Sequence, residues 1–85
     1  MNKYVVLIHL KKALEELQRT VHALEQGNSY DRENLEVAMG HLYHHLNTAW
    51  NGQNQSDEQF RKCSEEDFAR FRKFPSESEF MYLAS

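Results

Sequence analysis

Five histidines occur in the 85-residue chain, and three of them crowd into His41-Leu42-Tyr43-His44-His45. On a helix His41 neighbours both His44 and His45, and imidazoles at i and i+4 can chelate one zinc, copper or nickel ion. Two ligands build only half of a tetrahedral site. No His-Glu-x-x-His, Glu-x-x-His or paired-cysteine pattern supplies the rest. No cofactor is therefore expected; the alternative is a transition-metal ion such as zinc on His41, His44 and His45, completed across a dimer in which symmetry duplicates the imidazoles.

The segment Phe68-Ala69-Arg70-Phe71-Arg72-Lys73-Phe74 alternates aromatic and basic residues, a composition that can stack bases and neutralise phosphates. A structural account is simpler. Phe68 and Phe71 lie one helical turn apart and read as core, while Arg70, Arg72 and Lys73 close a helix that begins Glu65-Glu66-Asp67, which complements the helix dipole without a ligand. Nucleic-acid binding through Arg70, Arg72 and Lys73 is the weaker alternative. Cys63 precedes Ser64, a residue fit to cap that helix, and reads as a small apolar side chain or a thiolate near a helix N-terminus. No nucleophile constellation, paired carboxylates or phosphate loop accompanies it, so no enzyme is expected.

The elements that position these residues follow from hydrophobic spacing. Leu7, Leu10, Leu14, Leu17, Val21 and Leu24 recur in steps of three and four, an a/d stripe that predicts a helix over about 3–26. The β-branched density of Tyr4 to Ile8 would suit a strand, but no second strand-like run exists to pair with it. Gly27 and Asn28 supply a left-handed stop, and Ser29 or Asp31 can cap a second helix over about 30–51. Its stripe is Leu35, Met39, Leu42, Leu46 and Ala49. The two stripes are expected to face each other in an antiparallel hairpin, with Val21 level with Met39 and Leu10 with Ala49. In that register His9 lies near Trp50, His22 lies about four residues from the level of His41, and Glu15 and Glu16 come near His45. Lys11, Lys12, Glu15, Glu16 and Arg19 read as a solvated face.

Val5, Val6, Ile8, Tyr43 and Trp50 leave surplus apolar surface at the open end of the hairpin. The last third of the chain is its expected cover. Ser56-Asp57-Glu58-Gln59 reads as a capping box opening a short helix over 57–62, and Ser64 opens another over 65–73, which Pro75 ends. Phe80, Met81, Tyr82 and Leu83 enrich a tail, residues 76–85, that the pattern does not assign. Gly40, in mid-helix, either marks close approach by a backbone or ligand or is a tolerated irregularity.

The fold class is thus all-α: one domain of a two-helix hairpin with two short C-terminal helices across its open end, completing a helical bundle as a dimer. A chain of this length buries too little surface for comfortable stability alone, and its single cysteine rules out an internal disulfide. The lone thiol and the missing signal pattern point to the cytoplasm. The net charge of −3 opposes broad attraction to nucleic acid or anionic membrane. The expected function is a non-catalytic protein–protein interaction module, pairing with itself or another helical protein through Val37, His41, His44, Trp50, Phe80 and Tyr82.

Overall fold

Capping chemistry sets the helix boundaries. In the computed structural model, which describes residues 1–27, 29–62 and 64–80, helix α1 spans Lys3–Gln26. Asn2 caps it by accepting from the backbone N–H groups of Tyr4 and Val5. Gly27 ends it at φ 71°, where a side chain would be strained. Of the two possible caps for α2 (Arg32–Asn51), Asp31 takes the role, accepting from Asn34 N–H at 2.9 Å.

The capping box forms in full around α3 (Asp57–Lys62): Gln59 N–H donates to Ser56 Oγ at 3.1 Å while Ser56 N–H donates to Gln59 Oε1 at 2.9 Å. Ser64 caps α4 (Glu65–Phe71) through Asp67 N–H. A single 3-10 turn, Glu77–Glu79, follows. All regular elements among the described residues are helical, and no helix among them is long and apolar enough to cross a membrane. Cys63 and Tyr82 lie outside the described residues.

Helix α4 stops at Phe71, two residues short of the expected end at Lys73, and the reason lies on α2. Asn51 Nδ2 donates to the carbonyls of Phe71 and Lys73, and Asn47 Nδ2 to that of Arg72. Side chains one turn apart on α2 thus take the carbonyls at which α4 ends. Phe71 is buried beside Gly52, where a Cβ would lie 3.5 Å from the phenyl ring and 2.9 Å from the Thr48 carbonyl oxygen. The close approach expected at Gly40 occurs instead at Gly52; around Gly40 there is open space. Phe68, read as core, is half exposed against His44. At the other end Asn2 Nδ2 donates to the Gln55 carbonyl and to Asp57, tying the start of α1 to the α2–α3 linker. Phe60 of α3 meets Tyr4 and His9 edge-on.

The two long helices pack as an antiparallel hairpin, but not through the leucine stripe. The α1 side chains that face α2 form a different row: Val5, fully buried, then His9, Ala13, Glu16, Thr20 and Ala23. Opposite them Ala38, Leu42 and Ala49 are buried. Leu7, Leu10, Leu14, Leu17, Val21 and Leu24 remain 45–53% exposed. At 100° per residue this stripe stands roughly 100° around α1 from the seam. Ala13, Ala38 and Ala49 are small enough to let the two helices approach closely there, which leaves the larger leucines outward.

On α2 the expected stripe splits. Leu42 and Ala49 enter the seam, while Leu35 and Leu46 stay exposed and Met39 is half buried. Because the helices run antiparallel, both outward rows emerge on the same side. Val6 and Leu10 of α1 share a cleft there with Leu46, Ala49 and Trp50 of α2. The molecule measures 43 × 36 × 21 Å; the leucine side of the hairpin meets Phe80 and the 3-10 turn at its Trp50 end, and along the rest of α1 its leucines stay half exposed.

Candidate functional site

Two sites arise from this arrangement, one on each side of the seam. The first is the leucine face. Leu7, Leu10, Leu14, Leu17, Val21 and Leu24 line up along α1 with Leu35, Leu46 and Trp50 of α2 beside them, all at least 37% exposed. Two helices about 30 Å long, packed about 10 Å apart, present a surface of roughly 600 Å². The largest apolar patch on an ordinary monomer is about 300–600 Å². Phe80 stacks on Trp50 with ring centroids 4.8 Å apart, and Trp50 Nε1 donates to Glu79 at 2.6 Å, so the turn after α4 lies against one end of this face.

The second site is a run of imidazoles along the opposite edge of the seam. His9 Nδ1 of α1 lies 3.5 Å from His45 Nδ1 of α2. His44 packs edge-on against His45, with centroids 5.1 Å apart, and turns its other side to Phe68. One turn away, His41 Nδ1 stands 3.7 Å from Glu16 Oε1, whose other oxygen meets Arg19 at 3.1 Å. Glu16 is therefore no part of a solvated face: its side chain is only 12% exposed.

Burial lowers the pKa of His9 to about 4, aided by the like charges of His45 and His44. Burial likewise lowers His44, with His41 and Arg72 adding to it. For His45 burial again leads, with His44, His41 and Lys12 contributing, and Glu16 opposing them. His9 is thus a neutral imidazole at pH 7, with one protonated ring nitrogen and one lone pair.

His41, His44 and His45 do come close together, but they do not converge on one point, and no group of three potential metal ligands is assembled among the described residues. His9 is the residue that sequence reasoning missed. Its expected level beside Trp50 was wrong by about one turn, and only the register of the hairpin brings it to His45. Of the expected interface residues, Trp50 and Phe80 border the leucine face. Val37 and His41 instead line a cleft with Glu16, Thr20 and Asn34 on the other side of the seam. His44 belongs with Phe68 in a second cleft, of about 520 Å³, that also includes Gly40, Tyr43, Arg72 and Phe74.

Two of the three basic residues named for nucleic-acid binding, Arg70 and Arg72, have partners within the chain. Arg70 meets Asp67 at 2.9 Å and lies 4.4 Å above the Phe71 ring, and Arg72 lies 5.7 Å from the Phe68 ring. Comparison with protein-family models, curated proteins and solved structures returns no match.

Proposed function

We propose that the protein is a small non-catalytic interaction module that works as a homodimer, two hairpins burying their leucine faces against each other in a four-helix bundle. One observation carries this reading: the strongest hydrophobic repeat in the chain, Leu7 to Leu24, is not used to close its own hairpin. A half-exposed row of six large apolar residues costs solubility, and its burial against another surface is the ordinary reason for such a row to exist.

A second copy is the occupant that fits. The face is flat and two helices wide, as is the matching face it would meet, and helical bundles join such layers at shallow angles. Two copies contribute roughly 1,200 Å² together, the lower bound of a standard stable interface. The seam of each hairpin, in which Val5 and Leu42 are the large apolar residues among mostly small and polar side chains, is modest for a chain of this length, and pairing would supply the missing apolar core.

Sedimentation equilibrium of the wild type and of Leu14→Asp tests the proposal. The wild type is expected at twice the chain mass of 10.1 kDa, and the variant at the mass of one chain with its helical circular dichroism retained. A wild type that stays at one chain mass up to high micromolar concentration would overturn the homodimer.

A further inference from the structure

We propose that His9, His41 and His45 form a binding site for a divalent transition-metal ion of the zinc type on the α1–α2 seam, with Glu16 orienting His41. The core of the argument is the distance between two nitrogens. Ligands about 2.05 Å from a tetrahedral zinc ion stand about 3.3 Å from each other. His9 Nδ1 and His45 Nδ1, on different helices, are 3.5 Å apart, so the hairpin already sets one edge of the coordination tetrahedron. Without metal the same pair shares a single proton in an N–H···N hydrogen bond.

The third ligand comes from the same helix. His41 precedes His45 by four residues on α2, the spacing at which two imidazoles chelate one ion. The three imidazoles are not gathered in the structure: the His41 side chain, 65% exposed, completes the site by turning toward His45 as the ion enters from solvent on that side. Glu16 prepares it. The carboxylate, fixed by Arg19 at 3.1 Å, stands 3.7 Å from His41 Nδ1. At that distance the carboxylate is a charged neighbour of His41 and not yet its hydrogen-bond partner; on closing by a few tenths of an ångström it would take the Nδ1 proton and leave Nε2 with the free lone pair, the carboxylate–histidine arrangement that orients metal ligands. Ala13, between His9 and Glu16 on α1, has no bulk to block the ion.

Three imidazoles leave the fourth position to water. His44 is not a ligand in this assignment, since it follows a different direction around α2 and packs on Phe68. All three ligands come from one chain, so the site does not depend on dimerisation.

The test is titration of the chelator-treated full-length protein with Co²⁺, read by the visible bands of tetrahedral cobalt, followed by displacement with Zn²⁺. One ion per chain is expected, with binding abolished in His9→Gln and in His45→Gln. Binding should weaken in His41→Gln, a surface change that leaves the fold intact, and by about 10-fold or more in Glu16→Gln, the usual effect of losing an orienting partner. His22→Gln and His44→Gln should bind as the wild type does, each variant being checked for helicity. Absence of a tetrahedral spectrum, wild-type binding by His41→Gln, or loss on changing His44 in place of His9 would each overturn the site.

Discussion

Leu14 and Ala13 are neighbours in sequence with opposite environments, 53% and 3% exposed, and exchanging their roles tests which face closes the hairpin. Full burial of a leucine side chain contributes about 1.5–3 kcal/mol, so one that is half exposed contributes about 1. Leu14→Ala removes that, while the better helix propensity of alanine returns a few tenths. The expected loss in the isolated chain is below about 1 kcal/mol. Ala13→Leu inserts three carbon atoms into the seam and forces α1 from α2, at a cost of about 1–3 kcal/mol.

Urea unfolding followed by circular dichroism at two protein concentrations, a hundredfold apart, separates folding from pairing. At the lower concentration Leu14→Ala should unfold close to the wild type and Ala13→Leu clearly earlier. At the higher concentration the wild type gains stability by mass action and Leu14→Ala gains less. Were the leucine stripe the seam, Leu14→Ala would behave as a core truncation and lose about 2–5 kcal/mol at every concentration. That outcome, with Ala13→Leu neutral, would refute the placement of the seam.

Acid should destabilise the metal-free protein. The pKa of His9 falls from 6.5 in the unfolded chain to about 4 in the fold, chiefly by burial. The unfolded state therefore takes up a proton that the folded state refuses, and stability, constant above about pH 6.5, declines toward pH 4. Full burial would make this about 3 kcal/mol; solvent screening of a half-exposed ring reduces it to on the order of 1–2. The urea midpoint at pH 7 and pH 4.5 measures it, and His9→Gln should flatten the difference. Gly40→Ala, in open space, should stabilise by up to about 1 kcal/mol, whereas Gly52→Ala places a methyl 2.9 Å from the Thr48 carbonyl oxygen and should lower the melting temperature. Asn2→Ala removes the α1 cap and the bonds to Gln55 and Asp57 and should cost about 1–3 kcal/mol in thermal unfolding.

What the sequence makes legible is local. Gly27, Asp31, the Ser56–Gln59 box and Ser64 each name a helix end by their own hydrogen-bonding chemistry, and each acts there in the structure. The leucine spacing identifies α1 as a helix with one strongly apolar side, but periodicity marks such a side without saying what covers it. Ala13 and Ala38 weigh little in a hydrophobic pattern, yet with Leu42 and Ala49, which the α2 stripe includes, they close the hairpin, because close packing is governed by shape. The pairing of His9 with His45 and the inward turn of Glu16 depend on the register of two helices, where a shift of one turn changes every neighbour. The end of α4 at Phe71 was hidden for a related reason: its carbonyl partners, Asn47 and Asn51, lie some twenty residues earlier.

Isotope-filtered nuclear Overhauser spectroscopy on a mixture of labelled and unlabelled chains tests the homodimer most directly. Intermolecular cross-peaks are expected from the methyl groups of Leu10, Leu14, Leu17 and Leu46 on the leucine face, and none from Val5 or Ala13, which are buried inside each hairpin. Intermolecular contacts confined to Val37 and the His41 edge, or none at all at millimolar concentration, would contradict it.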